Sequence, residues 1–267
     1  MTKKIAIMGC GWLGLPLAEQ LIKDGHTIHG STTSEEKTGK LKEKGIHPFL
    51  ISLSEDGIQG DASGFLEDMD ALVINVPPGL RSGKKENYVK KMQHLHREIK
   101  ASSVRKVIFV SSTSVYGDAE GEVTEQTPPA PVSESGRQLV ASEKIFRQDA
   151  DLKATIIRFG GLIGPDRHPI TMLSGKQNLS NGNAPINLIH LTDCIRIITE
   201  ILHKNWWNET FNGVYPQHPT KQDYYTETAI RKGLQPPEYV INRPKFGKKV
   251  LSYNLTNVKK FGFTTSL

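Results

Sequence analysis

Residues 9–14 read Gly9-Cys10-Gly11-Trp12-Leu13-Gly14, a G-x-G-x-x-G spacing. That spacing suits one task, holding a phosphate with backbone alone. One glycine permits a tight turn, another lets a pyrophosphate approach, and the third lets the following helix pack on the preceding strand. The phosphate charge then sits among unpaired N–H groups at the helix N-terminus. The flanks agree with this use: an apolar run at 5–8 precedes the glycines and an amphipathic pattern at 13–24 follows them. Gly9, Gly11, Trp12, Leu13 and Gly14 are therefore the expected phosphate loop. The second strand ends in Gly30-Ser31-Thr32-Thr33-Ser34, with no acid before Glu35 and Glu36. An acid there would hold the ribose hydroxyls of NAD. The four hydroxyls of Ser31, Thr32, Thr33 and Ser34, with Lys37, instead suit a 2′-phosphate. NADP is the expected cofactor, with NAD as the alternative.

These residues need a frame. Short apolar runs at 5–8, 26–29, 49–53, 71–76, 107–110 and 154–158 read as strands. Between them lie helical patterns at 13–24, ended by Gly25, along Tyr88, Met92, Leu95 and Ile99, and at 139–147. Continuous apolar strands separated by helices predict a doubly wound parallel α/β sheet, Rossmann-like, covered on both faces. Pro77-Pro78 stops the fourth strand, which brings the backbone of Val76 and Pro77 to the ligand crevice at the carboxyl ends of the strands. The second half is less regular. Residues 166–185 read as a long loop, Ile195, Ile198 and Leu202 as a helix, and the chain beyond Thr210 as short pieces between prolines. The expected division is a nucleotide-binding domain over 1–164 and mainly a small substrate lobe over 165–267, with about 186–214 returning to the first.

The segment Ser111-Ser112-Thr113-Ser114-Val115-Tyr116-Gly117 resembles the S-S-x-x-V-Y-G segment of the extended short-chain dehydrogenases/reductases, the NAD-dependent epimerase/dehydratase family. Further segments follow in that family's order: Glu125, Thr127-Pro128 and Pro131; RFGGLIGP over 158–165, with Ile163 where the family has Tyr; NLIHLTD over 187–193; and Phe211-Asn212-Gly213. The resemblance implies a small-molecule substrate, a nucleotide-linked sugar among the candidates, and a homodimer by analogy. It departs at two points. Met8 stands where the family's G-x-x-G-x-x-G has its first glycine. More consequentially, the family's catalytic Tyr-x-x-x-Lys pair falls on Ser135 and Leu139. A serine hydroxyl does not replace a lysine-activated phenol as a proton carrier at neutral pH. The resemblance leaves Ser112 to orient a substrate oxygen and Ser135, or a water in the vacated space, to relay a proton. The rival reading is a non-catalytic NADP(H) sensor or partner-binding scaffold.

Other groups carry weaker signals. Tyr116 is expected to pack beside the site. Arg137, Arg158 and Arg167 are candidates for a substrate phosphate or carboxylate. His94 and His96 sit two apart on a helix and point away from one another, and His26 and His29 lie on the second strand without a partner cluster, so no metal is expected. Two cysteines, Cys10 and Cys194, exclude a disulfide framework and suit a reducing compartment. No apolar run reaches the ~18 residues of a membrane helix. Interrupting glycines argue against a signal peptide, so the protein is expected in the cytoplasm, away from membranes. The net charge of +6 and pI near 9.1 admit nucleic-acid binding. However, the basic stretch 231–260 lacks the interleaved aromatics of a single-strand channel, and no nucleic-acid partner is expected.

Overall fold

A computed structural model describes residues 2–79, 86–240 and 247–267. Seven strands form one parallel sheet: β1 (Lys4–Met8), β2 (Thr27–Thr32), β3 (His47–Leu50), β6 (Ala71–Ile74), β7 (Lys106–Ser112), β9 (Lys153–Phe159) and β12 (Thr210–Gly213). Their order across the sheet is β3-β2-β1-β6-β7-β9-β12. The chain runs outward from β1 to β3 and then crosses back to β6, so the order reverses beside β1. A crevice outside the carboxyl ends of β1 and β6 is the ligand position such a reversal creates. Small strand pairs lie outside this sheet: β4 (Ser52–Leu53) with β5 (Ile58–Gln59), β8 (Gly121–Val123) with β13 (Lys248–Val250), and β10 (Gly161–Ile163) with β11 (Leu188–His190).

Helices cover both faces. On one side α3 (Ala62–Leu66), α4 (Tyr88–Ala101) and α5 (Glu134–Arg147) lay Phe65, Leu95 and Phe146 on Leu72, Val107 and Ile156 of the sheet. On the other, α1 (Gly14–Lys23), α2 (Glu35–Glu43) and α7 (Leu191–Lys204) bring Leu17, Leu41 and Ile198 against Ile5, Val73 and Ile157. Successive residues from Ile5 to Met8 of β1 and from Ala71 to Ile74 of β6 thus enter opposite clusters, which is why these runs are apolar throughout. A third, smaller cluster joins Ile163, Ile170, Ile186 and Leu188 to Tyr224, Tyr225 and Ala229. It packs α6 (Ile170–Leu173) against α8 (Lys221–Arg231). The closing segment returns to the second cluster through Leu255 and Phe261. There Asp193, buried at the start of α7, accepts bonds from the backbone N–H and hydroxyl of both Thr264 and Thr265, and from Arg196.

Several expected boundaries shift for physical reasons. The second strand begins at Thr27 and runs on to Thr32, because Ser31 and Thr32 are buried despite their polarity. The expected 49–53 strand is two strands, broken at Ile51, whose N–H bonds the Thr32 carbonyl. The helix predicted from 139 starts at Glu134, where the Ser133 side chain accepts the Gly136 N–H. Residues 166–185 contain the short α6. The stretch beyond Thr210 holds α8, capped by Thr220, whose hydroxyl accepts the Asp223 N–H. Part of the basic stretch, with Arg243, Pro244 and Lys245, lies outside the described residues. Among those described, no helix is long and apolar enough to cross a membrane.

Candidate functional site

The glycine loop leaves β1 at the sheet's reversal, and each glycine has a distinct geometry. Gly9 has φ +100°, and a Cβ there would lie 2.9 Å from the Asn75 carbonyl oxygen. Gly14 opens α1 under the loop, where a Cβ would lie 2.1 Å from the Gly9 carbonyl oxygen. Both are required by the turn itself. Gly11 differs, since a Cβ there would meet nothing within 4 Å. No atom of the described residues demands its lack of a side chain, and the open space suits a group arriving from outside. The loop is fixed from below. The Gly9 N–H donates to Ser31 Oγ at 2.8 Å, the Cys10 N–H to the Ser31 carbonyl at 2.8 Å, and Asn75 Nδ2 to the Gly9 carbonyl at 3.2 Å. Helix α1 carries no side-chain cap and no acid in its first turn. Its N-terminal dipole is therefore available to an anion.

Two adjoining cavities of about 520 and 380 Å³ share Gly11, Asn75, Val76 and Pro77. The larger runs over the end of β2, lined by Thr32, Thr33 and Lys37 on one side and Ile51 and Leu53 on another. The smaller runs toward β7, lined by Trp12, Leu13, Ser112, Leu139, Leu162 and Arg167. Together they have the polarity a dinucleotide requires: an apolar slot, a backbone phosphate seat, and a second, mostly apolar compartment. The residues present fit such a group. Tyr88 fixes the junction, its hydroxyl donating to the Val76 carbonyl at 2.8 Å.

The expected β2 hydroxyls divide. Thr32, Thr33 and Lys37 line the cavity. Ser31 lines it too, but its side chain is committed: it accepts from Gly9 and donates to Met8 Sδ at 3.1 Å. Ser31 therefore shapes the loop and has no hydroxyl to offer a phosphate. Ser34 stands outside the cavity, as the residue before α2. Glu35 and Glu36, in the first turn of α2, do not line it either. Cys10 does line it, but burial pushes its thiol up to about 12, so it stays protonated.

At the far end, Leu139 lines the same compartment as Ser112, while Ser135, one turn earlier on α5, does not. The Ser112 Oγ accepts the Ser114 N–H at 3.1 Å. That bond uses a lone pair and leaves the hydroxyl proton available to a substrate oxygen. Tyr116 is fully enclosed. Its hydroxyl donates to Asn212 Oδ1 at 2.8 Å and accepts from Arg158 Nη1 at 3.0 Å, and burial raises its pKa. A phenol so held and so shifted does not shuttle protons.

Arg158 belongs to the same buried network. It reaches Glu143 through Nε at 3.1 Å and Nη2 at 2.6 Å, and Ser111 Oγ adds a bond to Glu143 at 2.6 Å. Its charge is spent inside the fold, which removes it from the substrate candidates. Arg137 pairs with Glu134 on the surface of α5 at 3.0 Å. Sequence reading missed this network because Tyr116 and Asn212 are 96 positions apart. The histidines also have structural employment. His94 meets the Glu55 carbonyl at 3.0 Å and His96 meets Asp149 at 2.7 Å. His26, which immediately precedes β2, meets His203 at 3.1 Å. Among the described residues no three His, Cys, Asp or Glu side chains gather as for a metal.

Comparison with known proteins agrees with this geometry. Residues 9–195 match the family described as NAD(P)H-binding. Protein YeeZ of Escherichia coli (strain K12) is 37% identical over 238 residues, 89% of this chain and 86% of YeeZ. A Bacillus subtilis (strain 168) protein named "Uncharacterized UDP-glucose epimerase YtcB" is 26% identical over 75% of this chain and 73% of its own. Among solved structures, UDP-glucuronic acid 4-epimerase from Bacillus cereus, in complex with UDP-glucuronic acid and NAD, superposes with a TM-score of 0.80 at 20% identity. That match covers 98% of this chain and 95% of the epimerase. At that identity the likeness establishes the fold.

Proposed function

The chain belongs to the NAD(P)H-binding family, with the Rossmann-like epimerase/dehydratase fold, and from that premise we propose that it is an oxidoreductase or epimerase-like enzyme of small metabolites. In this reading NADP(H) lies across Gly11 with its 2′-phosphate toward Thr33 and Lys37, and a nucleotide-linked sugar enters beside Ser112. The observation that carries the proposal is the pair of adjoining cavities, one at the β2 end and one at Ser112, which share Gly11, a glycine that no atom of the described residues requires. The absence of a carboxylate at the end of β2 supports NADP over NAD. The UDP-sugar ligand of the superposed epimerase supports the substrate class.

Bound nicotinamide would supply hydride exchange with an alcohol or ketone. The chain's own residues then do three things. The loop N–H groups and the α1 dipole neutralise the pyrophosphate. Leu139 and Leu162 exclude bulk water from the compartment. Ser112 donates a hydrogen bond to the reacting oxygen and orients it. With Leu139 where a lysine would stand and Ser135 outside the compartment, the described residues lining it include no Tyr, Lys, His or carboxylate. A water beside Ser112 is then the proton carrier. The second reading, a non-catalytic NADP(H) sensor, draws on the same leucine.

Calorimetric titration with NADPH and NADH decides the first half, and micromolar or tighter NADPH with weaker NADH is expected. Oxidation of NADPH is then followed against carbonyl compounds and nucleotide sugars. Turnover slowed at least 10-fold by Ser112→Ala supports the enzyme. Bound cofactor with no turnover across the panel supports the sensor, and no binding of either cofactor rejects both.

A further inference from the structure

Of the three arginines that sequence offers to an anion, two are consumed. Arg158 is paired with Glu143 in the core and Arg137 with Glu134 on α5. Arg167 is different. Its guanidinium carbon lies 4.8 Å from the centre of the Trp12 ring, and no carboxylate pairs with it among the described residues. Trp12 is part of the glycine loop itself, and both residues line the compartment that contains Gly11, Ser112 and Leu139.

The stack is held from three directions. Trp12 Nε1 donates to the Pro165 carbonyl at 3.3 Å. Gly164, with φ +158°, packs so close that a Cβ would lie 3.1 Å from Trp12 Cζ2. Gly164 and Arg167 close a tight turn by exchanging backbone bonds of 3.0 and 3.2 Å. A guanidinium held over an indole ring by cation–π attraction needs no N–H···O bond for that contact, which leaves its N–H donors for an oxyanion. The contacts therefore restrain the cation without using the donors that bidentate recognition needs.

We propose that the Trp12–Arg167 stack is an anion site of the cleft, taking a phosphate or carboxylate group. Two sources share that chemistry: the pyrophosphate of a dinucleotide seated over Gly11, and an acidic group of the second ligand beside Ser112. This builds on the dinucleotide reading of the glycine loop. Because Arg167 follows β10 and Trp12 follows β1, an anion bound between them ties the segment after β10 to the phosphate loop.

The test uses wild type, Arg167→Ala, Arg167→Lys and Trp12→Leu. Each is titrated calorimetrically with NADPH, with adenosine 2′,5′-bisphosphate (which has no pyrophosphate), with inorganic pyrophosphate, and, in the NADPH-loaded protein, with UDP-glucuronic acid. If the anion is the dinucleotide's, Arg167→Ala weakens NADPH and inorganic pyrophosphate at least 10-fold. Adenosine 2′,5′-bisphosphate stays within 2-fold, and Arg167→Lys recovers only part of the loss. If the anion is the second ligand's, NADPH stays within 2-fold and UDP-glucuronic acid falls at least 10-fold. In either case Trp12→Leu follows Arg167→Ala in direction. Changes below 2-fold in every titration overturn the proposal. Should wild type bind inorganic pyrophosphate through Arg167 but no dinucleotide, the anion site stands and the dinucleotide reading fails. Should wild type bind none of the four probes, both fail.

Discussion

The two ends of the cleft obey different rules. At the glycine loop the proposed function rests on backbone, and the fold enforces that backbone. Gly9 and Gly14 cannot accept a Cβ without meeting a carbonyl oxygen at 2.9 or 2.1 Å, so folding and anion binding draw on the same atoms. At the Ser112 end, function would be carried by side chains projecting from β7 and α5, on which the frame leans less heavily than on the loop glycines. Leu139 fills the lysine position of the resemblance and contributes to the core through its own burial. A backbone site persists with its fold, whereas a side-chain site can be rewritten one residue at a time. In the proposed reading this chain keeps the first and differs from the resembled family in the second.

The sharpest way to break that contrast lies inside the loop. Gly14→Ala should cost about 3 kcal/mol or more, because backbone must move, and should show as a large drop in melting temperature. Gly11→Ala should melt within a few degrees of wild type yet lose at least 10-fold in NADPH affinity. Equal destabilisation by the two would mean that Gly11 is structural and the open seat illusory. Beneath the far end, Glu143→Gln should cost about 3–5 kcal/mol in urea denaturation by leaving Arg158 buried and unmatched. A negligible cost would show that the frame tolerates loss of its own ion pair. The double variant Ser135→Tyr, Leu139→Lys should fold with a penalty of only ~1–3 kcal/mol, as lysine carries its ammonium outward along an apolar stem. Failure to fold would mean that this end is as constrained as the loop.

The smallest effect is expected in the third cluster. His168 Nδ1 accepts the Ile170 N–H at 3.1 Å, and its Nε2 meets the Tyr224 hydroxyl at 2.9 Å, with Tyr225, Arg231 and Lys232 nearby. Burial, then Lys232 and Arg231, lower its pKa from 6.5 to about 4. The folded state thus favours the neutral ring. Its contribution is complete above pH 6.5 and is lost as the pH falls toward 4. Hydrogen exchange in α6 and α8 should accelerate over that window and lose much of the dependence in His168→Gln.

Legibility in the sequence followed the same division. Strands buried on both faces, such as Ala71–Ile74, announce themselves as unbroken apolar runs. The loop is legible because its glycines are local and its flanks are regular. Helix α2 left little trace, since Leu41 is its only buried residue. Helix α8 was obscured by neighbouring prolines, although Thr220 followed by Asp223 is a capping signature that could have revealed it. The division of labour among Arg137, Arg158 and Arg167 was not legible at all. It depends on which carboxylate each meets, and Glu143 reaches Arg158 only once α5 lies beside β9. The full engagement of Ser31 was hidden for the same reason.

The bonds from Thr264 and Thr265 to Asp193 bear on how the chain is made. During synthesis the N-terminal portion emerges first, so β1 through α7 are available long before residues 264–265. Until those arrive, the Asp193 carboxylate at the head of α7 lacks four of its donors, and the apolar surface awaiting Phe261 is bare. The face of the sheet that α7 covers is thus closed by residues made well after α7 itself, and a nascent chain halted before them would present an unfinished α7 to chaperones and proteases.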